Sequence, residues 1–562
     1  MEPGSITPMI AAHRRSPSRG ATAAAIVVMA AATVAWRVLT FTGFNNDHYI
    51  YLAGAQQMLL GEWPVRDFVD PGWPLMNALP ALARLAFGKA LIVEVLLVAA
   101  AFALGAACTV AAVTRLSGSV LVAIAAAALE ILINPRSFGY PKIALYAVAI
   151  LALAGFSRAP NSRRVVALAA LTVLAFLFRH DHGLYIGIGS VVAVVAGRWQ
   201  DGWRQVAAAT SRLAGLVVAM LVPWAAWVQY HLGFADYVRP ALAFSRSEAE
   251  ATLLRAFPRL DLAQPLFARE NAAVLLFYLF HALPMVCLVA ALRRAFGRRE
   301  RWNGESGAVI AIAAMTIAMN MGFLRGPLPA RVPDAVVPAV VLLSWLLAWT
   351  GTAVARVRHV RMALAAAGFA VVGMAVGSMS DLSGELNRMG VLNRPGAFDK
   401  RVADLSARLR KPQPEGDQIP SRNSEALQPF FAFVQRCTDP ADRIVMTGLS
   451  PDVFVLADRG FAGGQMAFRP NFYRDPTDQQ RAIDRMRRQS VPFFILSLEE
   501  EADFRGALPL LSAHLDQRYV PLADVPVPDV RGLRIYMERD RPARGTDRAT
   551  GWPCFARGAS GA

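Results

Sequence analysis

The chain has 562 residues, 55% of them hydrophobic, and a formal net charge of +17. This hydrophobic content, with apolar runs of about 15 to 25 residues along the chain, excludes an ordinary soluble protein and indicates a polytopic membrane protein. The positive charge does not indicate nucleic-acid binding. Most of the arginine excess lies in short loops between apolar runs, as on the cytoplasmic side of membrane proteins.

The pattern predicts a cytoplasmic basic tail over residues 1–20 and a transmembrane part over residues 21–379. The first apolar run is too long for the hydrophobic region of a signal peptide, so we expect a retained helix. Arginine-rich and arginine-poor loops alternate, which places the N-terminus in the cytoplasm and the C-terminal part outside. The eleven predicted spans are 21–42, 91–113, 118–133, 143–157, 165–178, 184–197, 206–230, 272–292, 307–323, 335–351 and 362–378.

The first outer loop, residues 43–90, begins with polar residues directly after an apolar span. Within it, residues 49–60 place apolar and small side chains on one helical face, which predicts a helix along the membrane surface. Gly61 is expected to end that helix. Asp47 stands at its N-terminus, where it acts either as the N-cap or as a general base for a hydroxyl. The two roles can also be divided, with Asn45 or Asn46 as the N-cap and Asp47 free to act as the base.

Ionisable side chains gather at the outer ends of the predicted spans. Arg37, Glu94 and Glu130 lie at one predicted depth in the first three spans, where charged side chains are costly and often functional. Snorkelling of these side chains to the interface is the alternative. The outer loops add further acids and bases, a layout that predicts a reaction site at the outer membrane boundary. These loop residues are Asp47, Asp67, Asp70, Lys142, Arg179, Asp181, Arg325, Arg331 and Asp334.

The chain changes character after the last predicted span, becoming charged and interrupted by proline. Short strands and a helix between them predict that residues 380–562 form an extracytoplasmic soluble α/β domain. Cys437 and Cys554 both lie in this domain, and an oxidising compartment permits a disulfide between them. The predicted elements are strands over 443–448, 491–497 and 533–539 and a helix over 479–490.

The stretch NNDHYIYLAGAQQMLLGEWPVRDF, followed by Pro71 and Pro74, resembles the first outer loop of GT-C fold membrane glycosyltransferases. This group includes protein O-mannosyltransferases and the aminoarabinose transferases that modify lipid A. The stretches NPRSFGYPK, FRHDHG and FLRGPLPARVPD are also similar to loops of its bacterial members. The resemblance implies inverting transfer of a hexosyl or pentosyl group from a polyprenyl-phosphate donor. The acceptor is a lipid, a glycan or a protein at the outer face of the bacterial cytoplasmic (inner) membrane.

The resemblance also implies roles for individual residues. Asp47 matches the acid of the family's first loop and is expected to be the general base, with Asp181 as the second candidate. A polyprenyl phosphate is a good leaving group, which needs cations for its developing charge rather than a strong acid. The expected phosphate-binding residues are Lys142, Arg179, Arg325 and Arg331, with Arg37 behind them.

No cofactor is expected. Many members of the family carry two adjacent acids in the first loop, whereas this chain has Asn46 before Asp47, so we do not expect a bound metal. A divalent metal remains an alternative, because His180 and His182 flank Asp181 and imidazole and carboxylate are both metal ligands.

Several residues have a second, purely structural interpretation. Asp181 either serves the reaction or pairs with Arg179 to position its loop. Asp334 is either part of the site or an ion-pair partner at a helix start. Asp67 and Asp70 are expected to order the first loop. The outer loop over 232–270, with its amphipathic stretch RSEAEATLLRAF, is either a lid over the donor or a connector.

Three other functions compete with sugar transfer. Another outer-face transferase, such as an O-antigen ligase or an acyltransferase, would differ in its donor. A transporter would carry charges near the middle of its spans and related halves, and the sequence shows neither. A non-catalytic scaffold would present the C-terminal domain to partners and would tolerate substitution of Asp47.

Overall fold

The computed structural model describes residues 18–239, 242, 257–297, 304–322, 328–354, 358–393, 395–469, 474–528 and 530–555, with only the backbone described at 351–354, 358, 359, 361 and 417. Most of the basic tail, Arg325 and nearly all of RSEAEATLLRAF lie outside the described residues.

Eight helices in the described part of the chain are long and apolar enough to cross a membrane. The helices that precede the C-terminal part are α1 (Arg19–Leu39), α2 (Asn46–Leu59), α3 (Pro74–Phe87), α4 (Leu91–Ser117), α5 (Val120–Leu132), α6 (Tyr140–Arg158), α7 (Ser162–Phe178), α8 (His180–Arg198), α9 (Trp203–His231), α10 (Arg269–Gly297), α11 (Gly304–Met321), α12 (Leu328–Arg331), α13 (Val336–Val354) and α14 (Arg358–Met379). The eight candidate spans are α1, α4, α6, α9, α10, α11, α13 and α14.

The predicted count of eleven spans is not confirmed. The three predicted spans without a counterpart among the eight correspond to α5, α7 and α8. Helix α5 has 13 residues, which extend over roughly 20 Å, less than the hydrocarbon core of about 30 Å. Helix α7 has 17 residues and begins with Ser-Arg-Arg.

The spans divide into central and peripheral helices. Within the most apolar stretch of each helix, 72% of the residues are buried in α6 and 78% in α13, but only 6% in α9. Helices α6 and α13 therefore form the centre of the helical part, while α9 directs most of its apolar side chains outward. This arrangement suits a membrane protein, whose helices satisfy their backbone hydrogen bonds internally and expose apolar side chains to lipid.

The C-terminal part is an α/β unit, as predicted. Its helices and strands are α15 (Leu382–Arg388), α16 (Ala397–Leu409), α17 (Arg422–Ala426), α18 (Gln428–Cys437), β1 (Arg443–Met446), α19 (Asp452–Ala457), β2 (Gly460–Phe461), α20 (Pro476–Met486), β3 (Phe493–Ser497), α21 (Glu501–Ala507), α22 (Pro509–Arg518), β4 (Tyr519–Val527), β5 (Val530–Glu538), β6 (Gly545–Thr546) and β7 (Pro553–Cys554). Short 3₁₀ turns occur at Ser137–Gly139, Trp199–Asp201, Val332–Ala335 and Gly416–Gln418.

Among the described residues, the main sheet has five strands in the order β2-β1-β3-β5-β4, with β1 parallel to β2 and β3, and β5 antiparallel to β3 and β4. The central strand β3 is buried on both faces. Phe493 and Ile495 belong to one apolar cluster, and the alternate residues Phe494 and Leu496 belong to the other. This double burial explains why the strand is a continuous apolar run rather than an alternating one.

A disulfide joins Cys437 at the end of α18 to Cys554 in β7. Beside it, the backbone N–H of Phe555 donates to the carbonyl of Cys437 at 2.7 Å. Arg436 also forms an ion pair with Asp547 at 3.1 Å. The C-terminal segment is therefore fastened to α18 by a covalent bond and by polar contacts on both sides of it.

The double replacement Cys437→Ser with Cys554→Ser should lower the free energy of unfolding of the C-terminal domain by about 2 to 5 kcal/mol, because the disulfide closes a long loop in the unfolded chain. The two cysteines are separated by 117 positions. Urea unfolding with and without reductant measures the change, and Cys108→Ser, which removes a free thiol, is the control. An unfolding midpoint that reductant leaves unchanged in the wild type would contradict the prediction.

Helix α2 forms where a helix was predicted, and Gly61 follows it with a φ of 87°. Its environment differs from the prediction. Nine of its 14 residues are buried, on all sides of the helix rather than on one face. The predicted surface helix is instead sandwiched between the spans and the C-terminal domain. Helix α3 has the exposed apolar face, since Leu85 is 74% and Phe87 is 78% exposed.

Two adjacent glutamines attach α2 to the C-terminal domain. The side-chain amide of Gln56 donates to the carbonyls of Phe454 and Arg459 at 3.2 and 3.1 Å. Gln57 donates to the carbonyl of Phe461 at 3.0 Å and accepts from its N–H at 3.1 Å. Nearby, Glu62 pairs with Arg443 at 2.8 Å. The side-chain amides of the two buried glutamines therefore fix the position of α2 against the C-terminal domain, and Gln57 binds its edge strand β2.

Replacement Gln57→Ala should lower the free energy of unfolding by about 2 to 4 kcal/mol, because it leaves a buried N–H and a buried carbonyl of Phe461 unpaired. Lys89→Ala is the matched control, since it breaks an ion pair with Asp458 at the same interface. The side chains of that pair are 55% and 43% exposed, and exposed ion pairs contribute about 1 kcal/mol or less. Urea titration of both variants in detergent makes the comparison. Equal losses would show that the glutamine contacts do not anchor α2.

Candidate active site

Asp47 lies in the first turn of α2 with its side chain partly exposed. Asn45 caps the helix, because its side-chain oxygen accepts from the backbone N–H of His48 at 3.3 Å. Asn46 donates to the carbonyl of Leu449 in the C-terminal domain at 2.7 Å. Within the part of the chain that the structure describes, Asp47 has no hydrogen bond or ion pair. Asn45 therefore caps the helix, and the carboxylate of Asp47 is not used for capping.

The other acids of the first loop have structural partners, as predicted. Asp67 accepts from the backbone N–H of Trp63 at 2.7 Å. Asp70 accepts from the N–H of Trp73 at 2.9 Å and from the hydroxyl of Tyr237 at 3.1 Å. Burial raises the pKa of Asp70, and its hydrogen bonds oppose that increase. These acids order the loop and leave Asp47 as the one predicted candidate in it.

Lys142 and Asp334 form a buried ion pair. Lys142 Nζ lies 2.6 Å from Asp334 Oδ2, and the two side chains are 5% and 1% exposed. Lys142 comes from the first turn of α6, and Asp334 from the 3₁₀ turn before α13. A Cβ atom at Gly139 would lie 3.0 Å from Asp334 Oδ1. The glycine therefore gives the carboxylate the space that it needs beside α6.

Arg179 and Asp181 form a second ion pair at the junction of α7 and α8. Arg179 donates from Nε and Nη2 to the two carboxylate oxygens of Asp181, at 2.9 and 2.8 Å. This ion pair corresponds to one of the two alternatives given by the sequence, in which Asp181 pairs with Arg179 to position the loop. Burial alone would lower the pKa of Arg179, but Asp181 and Tyr51 raise it above its ordinary value, so the guanidinium stays charged. Its side chain is 25% exposed, and Nη1 has no partner among the described residues.

Tyr51 is influenced electrostatically by Asp47 and by members of both ion pairs. Its side chain is buried in α2. Burial, with a smaller opposing effect of Arg179, raises the pKa of Tyr51 to about 12. The negative charges of three acids raise it as well: Asp47, Asp181 and Asp334. Residues from the first loop, the α7–α8 junction and the turn before α13 therefore all act electrostatically on Tyr51.

Arg37 and Arg331 have other surroundings. Arg37 donates to the side chain of Asn134 at 2.9 Å and to the carbonyl of Pro135 at 2.6 Å, which holds the loop that follows α5. Arg331 lines a small cavity with His281 and with apolar residues of α10 and of the turn before α13. Arg325 lies outside the described residues. Phosphate binding by these three arginines stays a prediction.

The two histidines beside Asp181 are held by tyrosines. His180 Nδ1 donates to the carbonyl of Phe176 at 2.8 Å, and its Nε2 lies 2.9 Å from the hydroxyl of Tyr237. His182 Nδ1 lies 2.7 Å from the hydroxyl of Tyr146. In the described part of the chain, the set of side chains close enough to ligate a metal is Cys437, Asp547 and Cys554, whose two sulfur atoms are bonded to each other.

The sequence did not single out Tyr51, Tyr146 or His48 as site residues. His48 Nε2 lies 2.9 Å from Glu94 Oε1, and both side chains are buried. This contact fastens the start of α2, next to Asp47, to α4. Glu94 was itself the signal, because a carboxylate in an apolar helix needs a polar partner. Tyr51 gave no signal, since it fits the apolar face of its helix.

No protein-family model and no curated protein matches the chain. Among solved structures, the chain is similar to two crystal structures of ArnT from Cupriavidus metallidurans, one bound to undecaprenyl phosphate and one in the apo state. Each is 15% identical, covers 92% of this chain and 98% of that chain, and has a TM-score of 0.48. ArnT is an aminoarabinose lipid A transferase with the GT-C fold.

Replacement Asp334→Leu should lower the free energy of unfolding by about 3 to 5 kcal/mol, because Lys142 would remain buried without its carboxylate partner. Adding Lys142→Met should restore most of that stability, since removing both charges is often neutral. Thermal unfolding of the single and double variants in the same detergent makes the comparison. A double variant no more stable than the single one would show that the pair does not account for the loss.

Proposed function

We propose that the protein is a membrane glycosyltransferase that moves a sugar from a polyprenyl-phosphate donor to an acceptor hydroxyl. The observation that carries the proposal is the position of Asp47, a carboxylate without a hydrogen bond or ion pair to any described residue. Both Asp47 and Arg179 act electrostatically on Tyr51. A base beside cations is what this reaction requires, because the acceptor loses a proton while the leaving phosphate gains charge.

The proposed reaction is a single displacement at the anomeric carbon. The acceptor oxygen forms a bond to that carbon as its proton passes to Asp47. The bond between the carbon and the phosphate oxygen breaks on the opposite face, and its electron pair stays with the polyprenyl phosphate. The sugar is therefore transferred with inversion, and Asp181, held by Arg179, remains the second candidate for the base.

A buried lysine and a partly exposed arginine provide the phosphate site. Arg179 uses Nε and Nη2 for Asp181, so its Nη1 is the part of the guanidinium that reaches a ligand. Lys142 lies close enough to Arg179 and Asp181 to interact with them electrostatically. Cationic hydrogen-bond donors suit phosphate oxygens, and arginine offers several in a fixed plane. Arg37, Arg325 and Arg331 are further candidates for this role.

We place the reaction at the outer face of a bacterial cytoplasmic membrane, with the N-terminus inside and the C-terminal domain outside. The alternation of arginine-rich loops supports this orientation. The donor is a lipid, and the acceptor is a lipid, a glycan or a protein. The reaction needs no metal in this proposal, because Asn46, which occupies the place of a second acid, is bound to Leu449.

Replacement Asp47→Asn should reduce sugar transfer by about 10² to 10⁴-fold, the usual contribution of a general base, while leaving the protein folded. Purified protein in nanodiscs, a panel of radiolabelled polyprenyl-phosphate sugars and an envelope extract as acceptor source provide the assay. Asp458→Asn, at an exposed ion pair away from the site, is the matched control. Transfer by folded Asp47→Asn at the wild-type rate would exclude this base, and a wild type inactive with every donor would contradict the function.

A further inference from the structure

The ring of His182 is buried next to the ion pair of Arg179 and Asp181, with one nitrogen lacking a partner. The residue is 2% exposed. Its Nδ1 lies 2.7 Å from the hydroxyl oxygen of Tyr146, which is fully buried. Its Nε2 is also buried and has no hydrogen bond to any residue that the structure describes. Buried polar atoms are rarely left unpaired, so this nitrogen requires an explanation.

The hydrogen bond to Tyr146 decides which nitrogen carries the proton. If Tyr146 donates to Nδ1, the neutral ring has its proton on Nε2, and one group lacks a partner. If Nδ1 donates instead, the hydroxyl proton of Tyr146 and the lone pair of Nε2 both lack partners. Two unpaired buried groups cost more than one. The first arrangement is therefore favoured, and it makes Nε2–H a hydrogen-bond donor.

The surroundings of this donor favour an anionic acceptor. Lys142 and Arg179 lie close enough to His182 to act on it electrostatically. Asp181 is also nearby, with its Oδ1 3.8 Å from His182 Nδ1. That nitrogen is already hydrogen-bonded to Tyr146, so Asp181 does not serve as the partner of Nε2. A neutral N–H beside two cations is suited to an oxygen atom that carries negative charge.

We infer that Nε2–H of His182 donates a hydrogen bond to a phosphate oxygen of the polyprenyl-phosphate donor. This inference rests on the proposed function. It adds a histidine to the phosphate-binding residues, which the sequence predicted only among lysine and arginine. In this arrangement Tyr146 is a positioning residue, because its hydroxyl fixes the proton of His182 on the nitrogen that meets the ligand.

Two amide substitutions separate the two sides of the ring. In His182→Gln, the side-chain amide reaches the place of Nε2 and keeps a donor for the ligand. In His182→Asn, the shorter amide reaches only the place of Nδ1 and keeps the contact with Tyr146. His182→Phe removes both contacts and retains a planar ring. A role in ligand binding predicts that glutamine is tolerated and asparagine is not, whereas a role in supporting Tyr146 predicts the reverse.

The experiment measures binding of undecaprenyl phosphate, with undecaprenol as the phosphate-free control, to the purified full-length protein in detergent. We expect His182→Gln to bind within about 3-fold of wild type, and His182→Asn and His182→Phe to bind about 10-fold or more weakly, as for loss of a hydrogen bond to a charged group. Binding of undecaprenol should not change. His514→Gln, in the C-terminal domain, is the matched control, and the thermal midpoint of each variant shows whether it is folded.

The outcomes are distinguishable. Wild-type affinity in His182→Asn or His182→Phe, or equal losses in the glutamine and asparagine variants, would overturn the role of His182 and leave the proposed function standing. A wild-type protein that does not distinguish undecaprenyl phosphate from undecaprenol would overturn both. If His182→Phe does not fold, the comparison of the glutamine and asparagine variants decides the question.

Discussion

A buried charge must be neutralised, and this constraint determines which side chains in the site are free for chemistry. Lys142 and Asp334 neutralise each other at 2.6 Å, and Arg179 binds both oxygens of Asp181. A charge buried without such a partner costs several kcal/mol, about 3 to 5 in cases where one partner is removed. These four charged side chains therefore stabilise the meeting point of α6, α7, α8 and the turn before α13. Asp47 is partly exposed and does not take part in this pairing, so its carboxylate remains available.

The position of Asp47 depends on contacts that lie on two sides of α2. On one side, His48 binds Glu94 of α4. On the other, the adjacent glutamines at positions 56 and 57 bind backbone groups of the C-terminal domain. A helix held by both parts of the protein places its first turn more firmly than a loop would, and the proposed general base requires such positioning. The C-terminal domain therefore contributes to the site by bracing α2.

The parts that the sequence predicted well depend on local patterns. The strands β1, β3 and β5 were predicted because short segments rich in apolar and β-branched residues are typical of strands. The helix after Asp47 and its end near Gly61 followed from spacing and from glycine's backbone freedom. The burial of α2 was missed because the partners of its glutamines lie about 400 positions away, as with Gln57 and Phe461. The pairing of Lys142 with Asp334 spans 192 positions and has no local signature either.

Each of the two ion pairs is electrically neutral, and this neutrality affects the base in the proposed reaction. Because Asp181 and Asp334 already compensate the two cations, a phosphate bound there adds net negative charge near Tyr51 and Asp47. A nearby negative charge increases the proton affinity of a carboxylate. Binding of the donor would therefore make Asp47 a stronger base at the moment when the acceptor hydroxyl must lose its proton. As the sugar leaves, the phosphate gains further charge and attracts Lys142 and Arg179 more strongly, so stabilisation by the cations increases toward the transition state, as catalysis requires.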